Sequence, residues 1–387
     1  KLFQEAGYLS LNLSEEDFIR SAAEVKRDPS VRVAKTDYNF KWEKSIYSTV
    51  HWSVRRPGQP FVCQIQLKGG KVRGRGTGDK WPARVKRDLG DIVATNSFTL
   101  PPYLPSDPVI LQDWAQYLDT VRYTDMQVGR IVARLREAGE LDNTYIFFIT
   151  DHGISHVRNK QFCYEGGIHI PLVIRGPGIK PGTVRKDCVE HIDLAATSLA
   201  RAGIDVPKIM QARDILAKNY SPRKYVFAAR DRCDETVERL RAVRSQRYKY
   251  IRNFYPQRPY LQPNRYKDNK PIIQTMRRLF KEGKLNQAQA LIMAESRPEE
   301  ELYDLHQDPF ELVNLVTDSR YEHTLEEMRR ELQAWIIETG DKGQTPESEA
   351  MYDSDMSVYK QGNSAADQKE ILSRNIALMK KWAAEGK

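Results

Sequence analysis

Asp151 and His152 stand side by side where an apolar run, residues 145–149, gives way to Thr150 and Gly153. Such a run reads as a buried strand, and strand ends in α/β sheets deliver side chains into the ligand crevice. A carboxylate next to an imidazole at that position can ligate a metal. His152 would bind through a neutral ring nitrogen, so affinity would fall as pH drops through the imidazole range. Lys160 supplies a cation a few residues on. Tyr164-Glu165-Gly166-Gly167 then make a turn, residues 170–174 a second apolar run and Arg175-Gly176-Pro177-Gly178 another turn. Together these describe an anion site at the edge of an α/β sheet. The plainer readings are a turn-forming acid and a satisfied interior histidine.

His156 and Arg158, in the same loop, are looser candidates. Arg230 and Asp231 follow a strand-like run, residues 225–229. Arginine makes bidentate bonds to sulfate or carboxylate and aspartate accepts from sugar hydroxyls, which suits an anionic saccharide. An internal salt-bridge network explains the same residues equally well. Residues 68–87 are basic and glycine-rich, with Asp79 among few acids. They would attract a polyanion through long-range field, or simply form a solvated loop.

The elements that must position these groups are legible in part. Leu111, Trp114, Leu118, Val121, Ile131 and Leu135 fall at helical spacing, which predicts an amphipathic helix over 112–137 with Gly139 past its end. Residues 241–251 alternate apolar and basic and predict a hairpin. With a strand at 302–305 it would build a small antiparallel sheet, packed by helices over 275–295 and 321–338. Residues 340–363 predict a polar surface excursion, and residues 365–384 a last helix. With 387 residues and 40% hydrophobic content, the chain is long enough for one larger α/β domain, residues 1–220, and a smaller one, residues 221–387. It has no run of about eighteen apolar residues, which argues against a membrane-spanning helix. Its four cysteines lack paired spacing, which argues against a zinc site or a disulfide scaffold. The net charge of +9 alone, without a recognition fold, is a weak case for nucleic acid.

In this order the motifs resemble the second half of a sulfatase, within the alkaline phosphatase superfamily. The resemblance runs from about 101 to 315 and includes His191-Ile192-Asp193-Leu194-Ala195-Ala196-Thr197 and Leu302-Tyr303-Asp304-Leu305. It looks closest to bacterial relatives of heparan N-sulfatase. It implies a mixed sheet flanked by helices with a smaller α+β C-terminal subdomain. It also implies a divalent metal, Ca²⁺, held by Asp151 and His152, and a sulfate gripped by Lys160. Residues 33–40 resemble the family's Gly-Lys strand end, with Lys35 beside the sulfate and Ala34 in place of the glycine. A lysine about 4 Å from an anionic oxygen at an effective dielectric of ~20 contributes on the order of 4 kcal/mol before desolvation. Residues 11–32 would then be an extra helical insertion.

Two family features are absent from the sequence. Sulfatases carry a nucleophile in a Cys-or-Ser, x, Pro, x, Arg motif, oxidised to formylglycine, and an early Asp-Asp pair of metal ligands. Neither occurs here, nor does a histidine follow the strand-like residues 60–67. The reading is therefore an N-terminally incomplete sulfatase with impaired turnover on a sulfated saccharide or related ester. The family implies secretion or a periplasmic location, with no signal region visible. The alternatives are a non-catalytic binder of sulfated glycans and a phosphodiesterase or phosphonate hydrolase of the same superfamily.

Overall fold

The computed structural model describes residues 1–36, 40–67, 69–70, 80–343, 345–362 and 365–387. Leu9, Leu11 and Leu13 alternate with Ser10, Asn12 and Ser14, and that period of two makes a strand. This strand, β1 (Leu9–Ser14), pairs in parallel with β2 (Phe61–Gln66), Leu9 opposite Phe61. Leu11 and Leu13 are fully buried. The helical insertion expected over 11–32 is thereby corrected: its charge lies downstream of the strand, where two short helices follow, Glu15–Phe18 and Ala22–Arg27. Leu11, Leu13, Phe18 and Trp52 pack with Ile131 and Leu135, so this sheet sits on the C-terminal half of the helix Pro108–Glu137. That helix begins ahead of 112 because Asp107 caps the Val109 amide and Pro108 opens the first turn.

The run that leads to Asp151 forms β3 (Ile146–Ile149), antiparallel to β4 (Leu172–Arg175). It is half-buried rather than buried, with Ile149 38% and Val173 61% exposed. Four further strands make an antiparallel sheet in sequence order: β5 (Val226–Cys233), β6 (Thr236–Arg244), β7 (Tyr248–Asn253) and β8 (Glu300–Asp304). Alternate residues serve its two faces. Leu240, Ala242, Ile251 and Tyr303 join a core that also holds Tyr103, Val157, Phe162 and Ile272, drawn from both sides of residue 220. Val243, Tyr250 and Leu302 pack under the helix Glu322–Glu338.

Several local expectations change. The strand expected to stop at 229 runs on, so Arg230 and Asp231 lie inside β5, at a bulge between Arg230 and Arg232. The helix expected over 275–295 is Pro271–Lys281, broken where Gly283 takes φ +64°. The polar stretch 340–363 contains a helix, Glu349–Gln361, because Tyr352 and Met356 bury against Leu372, Ile376 and Met379 of the last helix, Ala366–Ala384. Of the basic stretch, residues 68 and 71–79 lie outside the described residues. The remainder includes the helix Lys80–Leu89, whose Trp81 and Val85 pack on Tyr123 and whose Arg84 and Arg87 pair with Asp88. No described helix is long and apolar enough to cross a membrane.

Candidate active site

From β3 the chain enters a loop that folds back on itself. The Gly153 amide donates to the Gly167 carbonyl at 3.0 Å, the Lys160 amide to Ile154 at 2.9 Å, and the Asn159 side chain to Gly166 at 3.1 Å. Lys160 thus returns to within two residues of His152 along this closed loop. The crossing is close enough to require glycine. A Cβ on Gly153 would lie 1.8 Å from the Gly166 oxygen, and one on Gly167 would lie 2.2 Å from the Phe162 oxygen.

Asp151 and His152 face a cleft of about 2350 Å³, whose walls include Glu165, His169, Cys188 and Arg244. Asp151 is exposed, and its Oδ2 lies 3.1 Å from His152 Nε2. His152 Nδ1 lies 2.8 Å from the Gly153 carbonyl, which can only accept, so Nδ1 carries the hydrogen. In the neutral ring Nε2 then turns a lone pair toward a carboxylate oxygen. A cation shared by the two would satisfy both. Ca²⁺ takes roughly six to eight oxygen ligands, however, and among the described residues no group of three acids, histidines or cysteines could hold a metal. The pair fits as two ligands and does not make a complete metal site. Calcium titration of this chain is accordingly expected to show no saturation below about 1 mM, the weak end of natural calcium sites. Calorimetry reads this directly, and micromolar saturation abolished by Asp151→Ala would overturn it.

The other candidates separate. Lys160 is half-buried, its Nζ 4.9 Å from the Tyr266 ring centroid. His156 is buried completely, bonded to Asp113 and stacked on Trp114, with ring centroids 5.2 Å apart. Arg158, 2% exposed, donates to the Glu311 carbonyl at 2.7 Å and lies 4.0 Å from the Tyr164 ring centroid. Both lie inside the molecule, because the loop turns its middle inward to pack on two aromatic clusters. Arg230 donates to the Gln161 carbonyl, while Asp231 pairs with Arg241 at 2.8 Å, and Arg241 in turn with Asp341. Between the two readings of this cluster, Asp231 follows the salt-bridge network and Arg230 braces the loop. Lys35 is exposed on an extended segment that Ala34 ties to Asn12 of β1 at 2.8 Å.

Sequence reasoning missed a charged cluster in the cleft wall. Lys249 of β7, fully buried, lies 2.7 Å from Glu165 and 2.8 Å from Glu311. Arg244 grips both Glu165 oxygens at 3.1 Å, and His169 lies 2.9 Å from the same carboxylate. Burial pushes Glu165 up, but the His169 hydrogen bond and the Lys249 and Arg244 charges outweigh it and hold the acid well below the usual range. At Glu311 burial wins and the carboxyl is raised. The one signal within the sequence was Glu165 in the Tyr-Glu-Gly-Gly turn; His169 is four residues on, but Arg244, Lys249 and Glu311 are far away along the chain.

A sulfatase family model matches residues 33–204, and a model of the N-sulphoglucosamine sulphohydrolase C-terminal region matches residues 152–295. An ulvan-active sulfatase of Formosa agariphila is 33% identical over 354 residues, 81% of this chain and 58% of that protein. Human N-sulphoglucosamine sulphohydrolase is 26% identical over 256 residues, 62% of this chain and 51% of that protein. The chain therefore spans little more than half the length of these relatives. A putative sulfatase from Bacteroides thetaiotaomicron superposes with a TM-score of 0.52 at 19% identity, covering 89% of this chain and 75% of that one. A 2-O GAG sulfatase superposes at 0.54 with the same identity and coverage. The mixed α/β architecture is that of the alkaline phosphatase-like fold, and the chain belongs to the sulfatase family.

Proposed function

We propose that the loop of Asp151, His152 and Lys160 serves a sulfuric ester hydrolase whose substrate is a sulfated saccharide. The observation that carries this reading is the glycine-closed loop. It ties the Lys160 backbone to Ile154, two residues from the Asp151–His152 pair that lines the cleft, with the Lys160 ammonium against the Tyr266 ring, in a chain of the sulfatase family. The ulvan-active relative supports a saccharide substrate, as does a solved relative of like fold bound to D-glucosamine-2-N,6-O-disulfate. The interior contacts of His156 and Arg158 hold the loop in shape, leaving ion pairing to Lys160.

Turnover by these 387 residues alone is a separate matter. The nucleophile motif is not in the sequence, and loss of a covalent nucleophile lowers rates by several orders of magnitude even where binding persists. The chain is expected to bind a sulfated oligosaccharide with salt-sensitive affinity and to release no sulfate. Lys160→Gln is expected to weaken binding about tenfold, since charge-assisted contacts to oxyanions are the strong ones. Calorimetry with a heparin-derived oligosaccharide, alongside an ion-chromatographic sulfate assay, tests both parts. Undiminished binding by Lys160→Gln would remove the site; rapid sulfate release would remove the expectation of inactivity.

A further inference from the structure

The cleft that Asp151 and His152 line has a volume of about 2350 Å³, well beyond the roughly 300–1,000 Å³ of a small-ligand site. It runs the length of β4. Leu172 stands opposite Ile149 at the end next to Asp151, and Arg175 opposite Ile146 at the other, about 10 Å away at a strand's rise per residue. Past Arg175 come two proline–glycine turns, with Gly178 at φ +74° and Gly182 at φ +71°, a backbone conformation that glycine takes freely. Tyr145 fixes the first by donating to the Pro177 carbonyl at 2.8 Å. Lys180 and Lys186 ride on this segment and Lys218 on the loop that follows Ile215, and all three line the cleft. Arg185 joins the two segments: it donates to the Ile215 carbonyl at 2.5 Å and to the two Asp187 oxygens at 2.8 and 2.6 Å, and lies 4.8 Å from the Tyr220 ring centroid. The junction stands apart from Asp151. The Ile215 amide donates to Thr197, about 9 Å along the helix His191–Arg201 from His191, whose ring reaches the Thr150 carbonyl at 3.0 Å.

Charge is sorted along this cleft. Its arginines are matched with acids: Arg175 with Asp142 at 2.9 Å, Arg185 with Asp187, Arg201 with Asp214 at 2.7 Å and Arg244 with Glu165 at 3.1 Å. Glu190, a further acid of the wall, pairs with Arg223 at 3.1 Å. Lys180, Lys186 and Lys218 are exposed, and among the described residues no carboxylate lies within ion-pair distance of them. Three cations that nothing in the wall neutralises therefore stand away from the Asp151–His152 pair and on the same cleft. Concave walls of low dielectric concentrate such a field, so the lysine end draws an anion of its own.

We infer that Lys180, Lys186 and Lys218 form a distal subsite for a sulfate or carboxylate further along the saccharide, so that the cleft takes an oligosaccharide rather than a single sugar. The subsite is too far from Asp151 for one sugar to span and within reach of a short chain. The inference rests on the sulfated-saccharide reading for its ligand and does not require hydrolysis. Two contacts on one chain reinforce each other, so chain length sets affinity. A lysine rim that serves only solvation would give no such dependence.

The test compares a heparin-derived hexasaccharide with the matching disaccharide by calorimetry at two salt concentrations. The unsubstituted chain is expected to bind the hexasaccharide roughly tenfold tighter. Lys180→Gln, Lys186→Gln and Lys218→Gln combined should weaken the hexasaccharide about tenfold, change the disaccharide less than twofold and flatten the salt dependence of the longer ligand. The three side chains are exposed and make no ion pair, so an unchanged melting curve is expected. Lys26→Gln, Lys281→Gln and Lys369→Gln combined remove equal charge from exposed positions outside the cleft and should leave both ligands unaffected. Equal affinity of the unsubstituted chain for the two lengths, equal losses for the two ligands, or a loss matched by the control would each overturn the subsite. If the loss is selective but Lys160→Gln binds both ligands normally, the subsite stands and the Lys160 reading fails. If Lys160→Gln weakens the disaccharide and the triple variant binds the hexasaccharide normally, the subsite alone fails.

Discussion

Gly153→Ala is expected to unfold the candidate site and to lower the stability of the chain by more than about 4 kcal/mol, the range of severe core disruptions. The added methyl would stand 1.8 Å from the Gly166 oxygen and 2.8 Å from its carbon. Both belong to backbone, which cannot rotate aside as a side chain does. Relief requires parting Gly153 from Gly167, and with them the hydrogen bond that closes the loop. Gly129 provides the control. It lies in the helix Pro108–Glu137, where a methyl added to it would meet nothing within 4 Å, so Gly129→Ala should stabilise the chain by up to about 1 kcal/mol. Urea denaturation followed by circular dichroism reads both variants. Equal midpoints for the two would show that the close approach has no energetic weight.

Lys249→Met should cost about 3–5 kcal/mol at neutral pH, the usual penalty for removing one partner of a buried ion pair. It leaves Glu165 with Arg244 and His169, and leaves Glu311 without its cation. The pH dependence has a definite sign. Glu165 has a depressed folded pKa, so its contribution is present above the unfolded value of about 4.5 and is lost as pH falls through the folded value. Glu311 is raised, so it opposes folding increasingly as pH rises through its folded value. Removing the lysine raises both acids, and protonation at low pH then relieves them. The deficit of the variant against wild type should therefore be larger at pH 8 than at pH 5. Melting curves at the two pH values measure it, and a deficit that grew on acidification would contradict the assigned charges.

Much of the site is legible in the sequence because its signals are local. Asp151, His152, Gly153, Lys160 and the Glu165-Gly166-Gly167 turn lie within a short stretch, and the glycines report a backbone crossing that their own neighbours create. The hairpin β6–β7 and the helix Pro108–Glu137 agree in kind with expectation because each repeats a two- or 3.6-residue period within itself. Residues 11–32 mislead because their charge masks the period of Leu9, Leu11 and Leu13. The helix Glu349–Gln361 is hidden because few of its residues are apolar, and Tyr352 and Met356 acquire their meaning from a helix that comes later.

By itself the sequence determined the family motifs and their order, and hence the strand, loop and turn that carry an acid, an imidazole and an ammonium. Only the tertiary structure decided which charges work against solvent and which against one another. Lys249 has the pattern of a solvent-facing strand residue and lies buried between two carboxylates, while His156 and Arg158 read as site residues and lie within the core. The reason is physical: the free energy of a charge depends on what desolvates it and what stands opposite. For these side chains both are supplied by segments distant in sequence, as Glu165 and Glu311 are from Lys249.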